Sequence, residues 1–208
     1  MQHIKIILAS ASPRRRELLK LLIPHFEIVP SCFDENLAKA NDSPEEAVVK
    51  AALAKARDVA REHPKAIVIG ADTLVVVDEE ILGKPTDEDD ARRMLALLSG
   101  RAHHVYTGVA VVAFRPREFE ATGYERTEVR FRELTSDLID RYVATGEPID
   151  KAGAYAIQGK GCALVEGING CYFNVVGLPL YRLSRMLEKS GLAIPMTFAD
   201  QDDGLTAP

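Results

Sequence analysis

The 208-residue chain lacks any apolar run near the roughly 20 residues that a membrane-spanning helix needs. Its first apolar run, His3 to Ala9, is also too short for a secretory signal. Both absences predict a cytoplasmic protein with no membrane partner. Cysteine is scarce: Cys32, Cys162 and Cys171 form an odd set with no CxxC pair, which supports neither a disulfide framework nor a thiolate zinc site. Positive charge is not in excess. The net charge of −5 leaves the surface as a whole unsuited to the nucleic-acid backbone. No GxxxxGK[ST] loop, helix-opening GxGxxG or serine nucleophile elbow occurs, so the chemistries built on those motifs are set aside. His103 and His104 are adjacent rather than spaced for one ligand face, and they read as strand-entry residues.

Against these absences, residues 8–16 stand out. They read LASASPRRR and join an apolar run to a stretch where Leu18, Leu19, Leu21 and Leu22 repeat at helical spacing. Ser12 is the natural N-cap, and Pro13 falls at the first helical position, where its missing N–H costs nothing. Three arginines in the first turn oppose the helix dipole, which favours anions at that end. Two readings follow: a solvated basic turn, or a site where phosphate comes to sit.

Elsewhere, Ser43-Pro44-Glu45-Glu46 is a capping box that opens an Ala-rich helix to about His63. Ala66–Gly70 and Leu74–Val77 read as strand on either side of an Ala71-Asp72-Thr73 interruption, and Ile81-Leu82 returns after a turn at Asp78-Glu79-Glu80. A helix capped within Thr86–Asp90 turns Met94, Leu95, Leu97 and Leu98 to the core. Val105–Phe114 and Phe119–Phe131 form a predicted antiparallel hairpin. A short helix starts at Thr135 or Ser136, Asn169-Gly170 signals a type I′ hairpin, and Pro179–Lys189 makes the last helix. This order predicts an α/β or α+β protein with a mixed sheet. Residues 1–194 read as one domain and 195–208 as a loose tail.

Asp72 is the sharpest single residue, because a carboxylate inside IVIGADTLVVV must be solvated by a cleft, bonded to neighbours or bound to metal. It is a structural aspartate at a strand bend, or a base or metal ligand. Asp34-Glu35 offers a second acidic group, and two carboxylates on one Mg²⁺ would be ordinary hard-cation chemistry. Lys55, Lys84 and Lys151 are either solvated surface charges or phosphate partners. The last two lie in Gly- and Pro-punctuated loops that let a backbone approach a ligand. Gln158 presents a donor and an acceptor, as reading a pyrimidine edge requires, or else bonds backbone.

Six ordered motifs then resemble one family across nearly the whole length: Leu8–Arg15, Gly70–Thr73, Leu82–Pro85, Leu98–Arg101, Asp150–Gly159 and Asn174–Pro179. The chain resembles the Maf family of nucleoside triphosphate pyrophosphatases, in its branch acting on dTTP and UTP. The resemblance implies hydrolysis to the monophosphate and pyrophosphate with a divalent metal, Mg²⁺ or Mn²⁺. It implies a general base at Asp72, metal at Glu35 and Asp72, and phosphate contacts at Ser10, Ser12, Arg15, Lys55, Lys84 and Lys151. Substrate choice would fall to Arg14, Thr73 and Gln158, with Arg16 left at the surface. The implied fold is an elongated mixed β-sheet flanked by helices, with two lobes and a central cleft, similar to inosine triphosphate pyrophosphatases, and a homodimer. Ala156 departs from the glycine common in relatives. A rival expectation is a nucleotide-binding regulator of cell division with negligible turnover.

Overall fold

The structure, a computed structural model, describes residues 4–33, 42–115 and 117–191. The chain builds a seven-stranded mixed sheet flanked by helices. β1 (Lys5–Leu8) lies parallel to both β2 (Glu27–Ile28) and β3 (Ala66–Val77). β3 continues antiparallel through β5 (Ala102–Ala113) and β6 (Phe119–Phe131) to β7 (Val165–Asn169). The short β4 (Glu80–Leu82) pairs only with the end of β3.

The helices begin where the sequence placed their caps. Ser12 caps α1 (Pro13–Lys20), and Ser43 closes a complete capping box on α2 (Pro44–Glu62). Asp87 caps α3 (Glu88–Leu98) and Thr135 caps α4 (Ser136–Val143). α5 (Tyr172–Val176) and α6 (Leu180–Lys189) follow β7. Among the described residues, no helix is long and apolar enough to cross a membrane.

Two sequence expectations are corrected. Ala71-Asp72-Thr73 does not interrupt the strand: all of β3 from Ile67 to Val76 is in register with β5. Asn169-Gly170 does not form a hairpin. A type I′ turn needs positive φ at both central residues, and Asn169 does not have it. Gly170 instead brings the chain so close to β6 that a Cβ there would lie 2.9 Å from Thr127 Oγ1. Cys171 then bonds the Thr127 hydroxyl through both its N–H and its carbonyl, and α5 begins. The tight hairpin lies between β3 and β4, at Asp78 (φ 45°) and Glu79 (φ 69°). Asp34-Glu35 and the predicted tail lie outside the described residues.

The core explains where a cleft can open. On one face of β3, Ile67, Ile69 and Ala71 pack with α1 and α6, whereas Val75 and Val77 pack with α3 and α4. Thr73 falls between these two apolar clusters. On the other face, Val68 packs with the second half of α2 and Leu74 and Val76 with its start, leaving Gly70 and Asp72 between them. Strand alternation therefore puts a polar seam at one level on both faces.

Candidate active site

The seam coincides with a gap in the sheet. β1 accompanies β3 only as far as Ile69, and β4 joins the same edge only at Val75. Between them, residues 70–74 present an open strand edge whose carbonyls need partners. Arg15 supplies one: its Nη1 donates to the Ala71 carbonyl at 2.9 Å. Its Nε donates to the Gly177 carbonyl at 2.9 Å, and its Nη2 to Thr73 Oγ1 at 3.0 Å. Ser10 Oγ accepts from Arg15 Nη1 and from the Ser12 amide, while Ser12 Oγ accepts from the Arg15 amide. One arginine thus ties the start of α1 to β3 and to the loop after α5.

Asp72 faces α2. Gly70 and Gly108 let that helix rest on the sheet backbone, since a Cβ at either would fall within 2.2 Å of the Ala52 or Val48 carbonyl oxygen. At this separation Lys55 Nζ reaches Asp72 Oδ1 at 2.7 Å, with both side chains less than a tenth exposed. The two glycines, invisible as chemistry in the sequence, are what make the pairing possible.

The remaining walls come from two loops laced together. The Gly153 amide donates to the Gly83 carbonyl at 3.0 Å, which sets the Lys84 loop beside the Lys151 loop. Lys151 contacts Asp150. Glu147, read from sequence only as part of a helix-ending Gly-Glu-Pro, proves to hold the segment after Gln158. Its carboxylate accepts from the Lys160 amide at 3.1 Å, the Gly161 amide at 3.0 Å and the Tyr142 hydroxyl at 2.9 Å. Burial raises the Glu147 carboxyl, but these donors outweigh it and hold it below the ordinary glutamate range. Burial pulls the Arg14 guanidinium below its ordinary value, against the opposing pull of Asp150, Tyr142 and Glu147.

Ser10, Ser12, Arg14, Arg15, Lys55, Asp72, Thr73, Lys84, Lys151 and Gln158 all line one cavity of about 500 Å³. Every site residue expected from sequence is therefore brought together except Glu35, which lies outside the described residues. Arg16 is exposed and pairs with Glu17. Asp150, Glu147, Thr107 and Asn174 were not singled out. Asn174 and Thr107 carried a signal, since each is polar in an apolar stretch of sequence, and both prove fully buried. Among the described residues, no three metal-ligating side chains cluster. The cavity lining includes two carboxylates, Asp72 and Asp150.

Five cationic side chains thus face two carboxylates in a recess at an open sheet edge, which defines a phosphate-binding α/β protein with nucleotide-sized room. The Maf family's sequence model, described as Maf-like protein, matches residues 5–190. The chain belongs to that family. It is 55% identical to a dTTP/UTP pyrophosphatase of Bacillus cereus (strain B4264) over 89% of this chain and 95% of that one. It is 56% identical to a dTTP/UTP pyrophosphatase of Moorella thermoacetica, covering 91% and 97%. Among solved structures, a nucleoside-triphosphatase / dITP/XTP pyrophosphatase from Mycobacterium abscessus aligns with TM-score 0.44 and 16% identity, covering 90% and 97%.

Proposed function

We propose that the chain hydrolyses the α–β phosphoanhydride of dTTP and UTP, releasing the nucleoside monophosphate and pyrophosphate. The observation that carries this reading is the placement of Asp72 in a recess lined by Arg14, Arg15, Lys55, Lys84 and Lys151. Near-full-length identity to relatives named for that activity supports it. Asp72 takes the proton of a water attacking in line at the α-phosphorus, and Lys55 holds its carboxylate in place. Lys84 and Lys151 receive the charge that accumulates on the leaving pyrophosphate. Ser10, Ser12 and the start of α1 cradle the phosphates, with Arg15 fixing that wall. Arg14, Thr73 and Gln158 select the base. Mg²⁺ or Mn²⁺, held by Asp72 and Glu35, would neutralise phosphate charge. A cytoplasmic homodimer belongs to the same reading, and sedimentation of the purified protein tests the dimer.

Incubation with dTTP, UTP, CTP and ITP plus Mg²⁺ or Mn²⁺, with the products resolved, decides the activity. Monophosphate and pyrophosphate from dTTP and UTP are expected. Orthophosphate as the first product overturns the assigned bond. Binding without turnover would support a nucleotide-responsive regulator of division, and turnover of ITP alone would undercut the roles of Arg14, Thr73 and Gln158.

A further inference from the structure

Thr73 is the one β3 residue on its face between the two apolar clusters, and it lines the cavity. Behind it, directly opposite on β5, sits Thr107, fully buried. Three contacts run in series. Arg15 Nη2 donates to Thr73 Oγ1 at 3.0 Å, the Thr73 and Thr107 hydroxyls lie 2.9 Å apart, and Thr107 Oγ1 donates to the Asn174 carbonyl at 3.1 Å.

The direction of the middle bond follows from counting hydrogens. A guanidinium only donates and a carbonyl only accepts. Thr107 has one hydrogen, and the Asn174 carbonyl takes it. Thr107 must then accept from Thr73 for all three contacts to exist at once. The reverse direction forfeits the bond to the Asn174 carbonyl and leaves a fully buried hydroxyl less well satisfied. With its hydrogen committed inward and one lone pair given to Arg15, Thr73 has only a lone pair left to offer the cavity.

We infer that Thr107 is a positioning residue for substrate choice: through the Asn174 carbonyl it fixes Thr73 as an acceptor-only reader of a base N–H. This deepens the pyrimidine reading above and rests on it. Uracil and thymine carry a hydrogen on N3, whereas cytosine N3 is a bare acceptor. A wall that can only accept pairs with the first two and opposes the third. A hydroxyl free to turn would serve both.

The experiment measures kcat/KM for UTP and CTP with wild type and with Thr107→Val, Thr107→Ala and Thr107→Ser. Valine keeps the volume and alanine avoids crowding, so either variant that folds, as judged by thermal melting, is informative. Removing the hydroxyl frees the Thr73 hydrogen, and the UTP-to-CTP ratio is expected to fall about tenfold, with serine restoring it. Equal losses on both substrates, or a ratio that serine fails to restore, would overturn the relay, because a purely structural role moves both substrates together. A wild type that prefers UTP while the valine and alanine variants keep the same preference overturns the relay and leaves the pyrimidine reading intact. A wild type that hydrolyses neither UTP nor dTTP removes that reading, and the relay with it.

Discussion

At the scale of single residues, Lys55 and Asp72 can be separated by what each loses. Both side chains are less than a tenth exposed, and removing one member deprives the other charge of this ion pair. Lys55→Met is therefore expected to lower unfolding free energy by about 3–5 kcal/mol in urea titration. Asp72→Asn keeps an oxygen for Lys55 but no longer takes a proton, so it should cost turnover at least about a hundredfold while nucleotide affinity is largely spared. Normal dTTP hydrolysis by Asp72→Asn would remove Asp72 from the base role. His103 gives the molecule a pH dependence of stability. Its ring sits edge-on to Phe131 and Tyr155, bonded to the Tyr155 hydroxyl, and burial drops its pKa from 6.5 to about 3. Between those values the unfolded chain binds a proton that the native state refuses. Stability from this group is complete above pH 6.5 and is lost as pH falls towards 3, by at most about 1.4 kcal/mol per unit. Replacing it by Gln should flatten that part of the urea-measured profile, and an unchanged slope would assign acid sensitivity elsewhere.

At the scale of elements, the β3–β4 hairpin carries a local conflict. Asp78 and Glu79 both occupy positive φ, where a side chain is strained and glycine is not. Asp78 contacts Arg101, which compensates one position. Glu79→Gly should then stabilise the fold by up to about 1 kcal/mol, since it relieves left-handed strain of about 1–2 kcal/mol while the extra freedom glycine gives the unfolded chain takes back about 0.4–1 kcal/mol. Chemical denaturation checks the sign. The same hairpin shows which elements were legible. Caps at Ser12 and Ser43 depend on three or four neighbouring residues, so the sequence places them where the structure does, and it narrows the cap of α4 to Thr135 or Ser136, of which the structure uses Thr135. Turn type is less local. Asn169-Gly170 has the composition of a hairpin but is captured by Thr127, a contact across the sheet, whereas the turn expected at Asp78-Glu79-Glu80 is where the structure has its tight hairpin. Asp72 was conspicuous because a carboxylate in an apolar run is costly. Arg15's partners Ala71, Thr73 and Gly177 were not, because they are brought to it only by the fold.

At the scale of the whole molecule, charge runs in opposite senses at two distances. The chain carries a net −5, which repels a triphosphate far away, yet the cavity sets Arg14, Arg15, Lys55, Lys84 and Lys151 against only Asp72 and Asp150 among the described residues. Coulomb energy falls with distance and salt screens charges beyond about 10 Å at 0.1 M, so the cations touching the ligand outweigh acidic residues spread over the surface. Binding of a non-hydrolysable UTP analogue should therefore weaken steadily as salt rises, despite the like net charge of protein and ligand. Were net charge in command, screening would remove repulsion and affinity would rise with salt instead. Calorimetric titration between about 0.05 and 0.5 M KCl, where the screening length shrinks several-fold, distinguishes the two by sign alone. Repeating it with Lys84→Ala and Lys151→Ala shows where the effect resides, since each loss should reduce both affinity and its salt dependence if these loops carry the phosphates.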